Sequence, residues 1–484
     1  MNFLENKSIF VIGAIGFLGK IMLEKILRTQ PKVKKLYLLI RSVDEITASK
    51  RFYEEVVKKE LFRVLKEKWG GNLNTLISEK IYLVPGDISC PNMGIKDLNL
   101  LEEMKNKVEI MVNLAAITKF DERYDIAFGT NTLGVKHILN FAKQCSNLEI
   151  IVHVSTGFVS NQREGLILET PCKLENSLDG TSKLDIEIEG QIIEETLNEF
   201  RNIEETITTL AMKDLGQKRA KVYGYPNTYV FTKAMGEMVI NDEKGNLPLI
   251  IVRPTIVTST YKEPFPGWIE GLRTIDGFIV GYGKGKLTRF LCDVNTILDL
   301  IPADMVINGM IMIIVAHELQ PSRQTIIYHM GSSMRNSLRR IDFHRYIFQY
   351  FTEKPWINED GKSIKIKKLT FFDNLASFHT YMTIHHLVFL KGLEFANKVF
   401  CYSFQDMYNK FQRKISWVMR QVELYESFLF FTAIFDDSNL EKLRIVAGDN
   451  GINPNTLLFD PKDINWEDYF LNIHIPGLIT HVMK

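Results

Sequence analysis

The chain has 484 residues, 45% of them hydrophobic and 24% charged, with a formal net charge of +1. That length fits two or three domains, and the composition supports a large buried core and excludes a disordered chain. With charge near zero and basic residues spread along the sequence, no nucleic-acid partner is expected.

The five cysteines (Cys90, Cys145, Cys172, Cys292, Cys401) are an odd number, widely separated, with no Cys-x-x-Cys pair. They read as reduced thiols in a cytosolic setting, not a disulfide frame or zinc site. The ten histidines include no His-Glu-x-x-His, so no metal is expected. The opening MNFLENKSIF carries charges where a secretory leader needs its apolar run, and no transit segment is expected. The longest apolar stretches, 305–316 and 427–435, fall short of the ~20 residues a spanning helix needs. Contact with a membrane is therefore expected to be peripheral.

Taken in chain order, residues 7–12 read as a short strand, 16–29 as a helix and 35–40 as a second strand, one βαβ unit. Further buried strands are expected at 81–85, 110–114, 150–154 and 249–252, with helical stretches between them. Strand alternating with helix predicts an α/β fold, a Rossmann-type doubly wound parallel sheet. The segment 162–223 is long, charged and helix-prone, and either shapes a substrate site or forms a solvated helical hairpin. Beyond residue 354 the chain turns aromatic and helix-rich, which divides it into 1–353 and a helical C-terminal domain, 354–484.

Gly13, Gly16 and Gly19 stand between the first strand and the first helix, spaced G-x-x-G-x-x-G. Glycine suits a sharp turn, close backbone approach to a pyrophosphate, and a helix N-terminus whose free N–H groups meet that anion. The second strand ends in Arg41, where an enzyme for NAD usually has an acid for the ribose 2′-hydroxyl. A guanidinium suits a 2′-phosphate, so NADPH is the expected cofactor. Asp44 comes too late for the ribose.

Tyr229 and Lys233, four residues apart, share one face of a helix about a turn apart. A tyrosine with a pKa near ~10 is a poor acid or base at neutral pH. A nearby ammonium, together with the positive charge of an oxidised nicotinamide, favours the phenolate and is expected to pull the value towards the working range. Ser155 and Thr156 end the strand at 150–154, where doubly wound sheets bind ligands, and one of them is expected to give a catalytic hydrogen bond. Capping the next turn is the ordinary alternative. The aromatic runs YESFLFFTAIF and 384–400 pack a core, line an acyl tunnel or rest on a membrane surface, with core packing the ordinary expectation. His385 and His386 have no motif around them and read as structural.

These residues, with the strings FDERYD, HVST, YPNTYVFTKAMGEM, IVRPTIVTST, EPFPGWIEGLRTID, IPADMVING and INWEDYFLNIHIPGLITHV, resemble the plant branch of the alcohol-forming fatty acyl-CoA reductase family over nearly the whole chain. The resemblance implies an extended short-chain dehydrogenase with a C-terminal male-sterility domain. It implies reduction of a long-chain acyl-CoA to a primary alcohol by two NADPH, through a bound aldehyde, at the endoplasmic reticulum. It assigns Gly13, Gly16 and Gly19 to the phosphates, Tyr229 and Lys233 to the catalytic pair, and Ser155 with Thr156 to the hydroxyl motif. By looser analogy Asp87, Ala115 and Asn131 line the adenine and ribose side. Three positions depart from the family's pattern: Ile12 and Ile15 replace loop threonines, and Phe158 replaces a tyrosine. Each lost hydroxyl that made a hydrogen bond removes ~0.5–1.5 kcal/mol, so cofactor binding is expected to weaken by roughly tenfold to a hundredfold. The alternatives are another extended short-chain dehydrogenase or an impaired cofactor-binding homologue.

Overall fold

The computed structural model describes residues 4–160, 164–172, 176–449 and 457–483. Seven strands form one parallel sheet: β1 (Ser8–Ile12), β2 (Lys35–Arg41), β3 (Ile81–Gly86), β4 (Ile110–Asn113), β5 (Ile150–Val154), β6 (Leu249–Pro254) and β7 (Ile326–Met330). Their order across the sheet is β7-β6-β5-β4-β1-β2-β3. All six pairings are parallel, and Ile12 at the end of β1 lies between Leu39 and Asn113. The chain moves outward from β1 through β3, then returns to the other side of β1 with β4. That reversal opens a crevice beyond the carboxyl ends of β1 and β4, where such sheets bind ligands.

Both faces of the sheet are covered, so its strands read as continuous apolar runs. Ile9, Val11, Leu36 and Leu38 face one core; Phe10, Ile12, Tyr37 and Leu39 face the other. The six strands expected from the sequence are present within a residue or two of the expected bounds. β7 was not foreseen: IIYHM is a five-residue edge strand following a largely apolar helix, and it carries no alternation of its own.

Within 162–223 lie two helices, α3 (Ile186–Glu199) and α4 (Glu205–Val222), while 162, 163 and 173–175 fall outside the described residues. Buried Glu189 of α3 ties the pair together, accepting from Arg219 of α4 and, at 2.7 Å, from Tyr124 Oη. The chain beyond 354 packs back on the body of the molecule at several places. Thr370–Phe372 pairs in parallel with Arg289–Leu291. Trp466, Tyr469, Phe470, Ile475 and Leu478 join the larger core. There Tyr469 Oη donates to the Ser259 carbonyl at 2.9 Å and His474 lies 3.1 Å from Asp276, which gives the ending INWEDYFLNIHIPGLITHV its packing role. Among the described residues no helix is long and apolar enough to cross a membrane.

Candidate active site

β1 ends in the turn that carries the three glycines, and α1 (Phe17–Thr29) starts with Gly16 as its N-cap. Gly13 has φ +86°, and a Cβ there would lie 2.5 Å from the Ala115 nitrogen. A Cβ on Gly19 would lie 2.3 Å from the Gly13 carbonyl oxygen. Neither position admits a side chain. Ala115, after β4, thus backs the glycine turn, and its N–H donates to Asn113 Oδ1 at 3.1 Å. Ile12 lies in the sheet core and Ile15 packs against the other core, and neither lines the cleft in front of the turn. Their bulk does not occupy the space a pyrophosphate needs.

Arg41 is the last residue of β2 and its side chain is exposed. Asp44 is the N-cap of α2 (Glu45–Phe52), accepting from the Thr47 N–H at 2.7 Å. That backbone hydrogen bond holds its carboxyl below the usual carboxylate range. Asp87, just past β3, accepts from both the N–H and the hydroxyl of Ser89. Asn131 corrects the looser analogy. It is buried, and its amide is occupied by both polar atoms of the Ile117 backbone and by Thr232 Oγ1. It holds the 115–117 loop against the next helix and does not face the cleft.

That helix is α5 (Thr228–Glu243), capped by Asn227, which accepts from the Val230 N–H. Tyr229 falls in its first turn and Lys233 one turn on. Lys233 is 1% exposed and donates to the Val154 carbonyl at 2.7 Å. Burial lowers its pKa to about 8, opposed by the carboxylate of Glu237. Glu237, one turn further along, is paired with buried Arg253 at 2.5 and 3.0 Å. Burial would raise the Glu237 carboxyl, but Arg253 outweighs it and keeps the group ionised.

The phenol of Tyr229 behaves opposite to expectation: enclosure by protein pushes it up to about 12, against weaker pulls from a Thr156 hydrogen bond and the Arg273 charge. Desolvation is the largest influence, and Lys233 contributes no resolved pull. Tyr229 is therefore a loaded proton donor at neutral pH.

Both hydroxyls line the cleft. Thr156 accepts from the Phe158 N–H at 3.4 Å, the ordinary capping role, and lies near enough to Tyr229 to favour its phenolate. Ser155 Oγ is buried without a hydrogen bond of good geometry, near enough to Glu237 only to favour its carboxylate.

These groups line a cleft of about 830 Å³ that runs from Gly16 and Gly19 past Tyr229 to an apolar end at Phe278, Phe290 and Phe343. Arg273, not singled out in the sequence, stands in it as the N-cap residue of α6 (Thr274–Gly283), its guanidinium 4.6 Å from the Phe17 ring centroid. Nothing local singled it out, since IEGLRTIDGFIV carries Glu270 and Asp276 as well. The roof was also missed. It is α10 (Gln405–Leu429), which follows α7 (Ala303–Leu319), α8 (Arg340–Glu353) and α9 (Val388–Val399). Phe428 and Tyr425 of α10 meet Phe120 at ring distances of 5.1 and 5.0 Å, and Phe120 stacks on Tyr229 at 5.9 Å. Phe158 closes the far side against Phe428, Phe431 and Phe435, so a ring without a hydroxyl suits its place. Arg340 of α8 fixes the roof by donating to the Phe428 carbonyl at 2.5 Å.

A family description, "Male sterility protein", matches residues 11–310, and a second of the same description matches 385–484. The chain is 48% identical over 486 residues to the alcohol-forming fatty acyl-CoA reductase of Simmondsia chinensis, covering 100% of this chain and 99% of that protein. It is equally similar to fatty acyl-CoA reductase 1 of Arabidopsis thaliana, at 48% identity with the same coverage. The chain belongs to the fatty acyl-CoA reductase family. Among solved structures, the reductase domain of a nonribosomal peptide synthetase from Mycobacterium tuberculosis is similar at a TM-score of 0.58 and 14% identity, covering 98% of this chain and 92% of that one. The terminal R domain of the myxalamid pathway is similar at 0.55 and 17%, covering 98% and 91%. At such identities the likeness is one of fold. The family supplies a nicotinamide-dependent reductase frame, and the glycine cradle, with its two positions closed to any Cβ, fits that class of cofactor.

Proposed function

We propose that this chain reduces a long-chain acyl-CoA to a primary alcohol with NADPH, in two steps through a bound aldehyde. The observation that carries the reading is Tyr229 on α5, beside Thr156 in a cleft that runs from the glycine turn to an apolar end, with buried Lys233 one turn on.

Gly13, Gly16 and Gly19 would take the pyrophosphate on the N-terminus of α1, and Arg41 the 2′-phosphate. The choice of NADPH over NADH rests on Arg41 together with Asp44, whose carboxylate caps α2 and is not available to a ribose. Asp87 and the Ala115 backbone would border the adenine and ribose. Lys233 is the donor nearest the nicotinamide ribose. NADPH supplies the hydride in each reduction. Tyr229 donates its proton to the substrate oxygen as negative charge grows there, with Thr156 beside the phenol. Arg273 adds a cation facing the same oxygen-bearing end of the cleft. Its charge favours the phenolate that Tyr229 becomes. Phe120, Tyr425 and Phe428 exclude water over the reacting groups, and the apolar end past Phe278 receives the acyl chain. The division at 354 follows the same reading, with 1–353 carrying the cofactor and 354–484 supplying the roof.

Purified protein incubated with NADPH and acyl-CoAs of graded length should release CoA and yield primary alcohol, measured by product chromatography. With NADH the yield should be lower, and Arg41→Ala should erase the difference. No alcohol and no NADPH oxidation at any chain length would overturn the reading.

A further inference from the structure

We infer that the outer end of the α9–α10 hairpin docks on the surface of an anionic lipid bilayer. Helix α9 has two apolar faces. On one, Leu393 and Asn397 are buried and Leu390 packs towards buried Ile415 of α10. On the other, Val388, Phe395 and Val399, spaced i, i+7 and i+11, fall within about 40° of one another at ~100° per residue. All three are exposed, Phe395 at 71%. A helix that serves only as packing has one such stripe. The second has no protein to cover it among the described residues.

The tip continues the same surface by construction. Asn397, itself buried, accepts from the Phe404 N–H at 3.0 Å with its side chain and from the Tyr402 N–H at 2.7 Å with its carbonyl. Cys401 and Tyr402 are held at positive φ. The tight turn that results presents Phe400 and Tyr402 to solvent, Tyr402 at 63%. Trp417 on α10 is exposed to the same degree.

Charge selects the occupant. From 384 to 417 there are five Lys or Arg (Lys391, Lys398, Lys410, Arg413, Lys414) against two acids (Glu394, Asp406), in a chain whose whole net charge is +1. All five cations are exposed. Exposed aromatic and aliphatic side chains edged by cations match a membrane interface with anionic headgroups. A second copy of the chain is less suited, because a two-fold contact would set these cations against themselves. The same 25-residue helix that carries Trp417 carries Tyr425 and Phe428 over the cleft. On the acyl-CoA reading, this brings the cleft beside the phase where a long-chain product dissolves.

The test is vesicle flotation of the full chain, without turnover, so its failure leaves the reductase reading standing and the failure of that reading leaves this surface standing. The protein should float with phosphatidylcholine vesicles that contain phosphatidylserine. Pure phosphatidylcholine, or ~1 M salt, where screening reaches only ~3 Å, should lower the partition at least tenfold. The variant Phe395→Ser/Phe400→Ser/Tyr402→Ser should lose flotation at unchanged melting temperature, as should Lys391→Glu/Lys398→Glu. Trp417 emission should shift to the blue on anionic vesicles, and Trp417→Phe should lack the shift. No flotation of the natural sequence, equal flotation of the variants, or a dimer in solution that the same substitutions dissolve would overturn the inference.

Discussion

The floor and the roof of the cleft handle burial in different ways. Beneath the floor, buried charged side chains are committed to backbone or to an opposite charge: Lys233 to the Val154 carbonyl, Glu237 to Arg253. In the roof, Tyr425 and Phe428 meet the floor through aromatic rings, and Arg340 reaches one backbone carbonyl. Committed hydrogen bonds fix direction, while ring contacts fix only enclosure. The floor can therefore aim a proton, and the roof can exclude water and grip a chain. Along α10 itself the contrast repeats, with rings enclosed at the inner end and exposed at the outer.

The largest expected effect breaks the floor. Tyr229→Phe removes the donated proton and should cut single-turnover NADPH oxidation by about 10²–10⁴-fold at unchanged cofactor affinity. Loss of less than about tenfold would mean another group supplies the proton. A smaller effect separates roof from floor: Phe428→Ala should lower kcat/KM for long acyl-CoAs by about tenfold, through lost enclosure, and leave NADPH affinity unchanged in a direct titration. Phe395→Ser, at the outer end, should leave kcat/KM unchanged in the same vesicle-free assay.

The smallest effect is one of pH. Lys233 titrates at about 8 in the folded chain against 10.5 for the ordinary side chain. Between those values the unfolded chain keeps a proton that the folded chain has released, so this group makes stability rise with pH across that window. Cofactor binding should run the other way, weakening above about pH 8 as the ammonium is lost. Lys233→Arg stays charged and should remove that alkaline fall from the NADPH titration. An affinity that does not change from about pH 7 to 9 would show that the ammonium does not hold the cofactor.

Much of the floor was legible in the residues. Glycine spacing, apolar strands and a phenol four residues before a lysine are local patterns, and each appeared where expected. Enclosure of the tyrosine was not legible, because the distance along a helix says nothing of what packs over a ring. Thr156 and Ser155 both reach the cleft, so the choice between them stays open. Arg273, Phe120 and the Phe428 roof gave no local signal, since their meeting joins segments from 120 to 428.

The sequence by itself determined the parallel sheet, the glycine turn and the Tyr229–Lys233 pair, because each depends on spacing within one or two elements and on what glycine alone permits. Only the tertiary structure decided the rest: that enclosure pushes the Tyr229 phenol up, that Thr156 lies beside it in the cleft, that α10 covers it, and that one face of α9 stays bare. Those are matters of desolvation and enclosure, which arise only when distant segments come together.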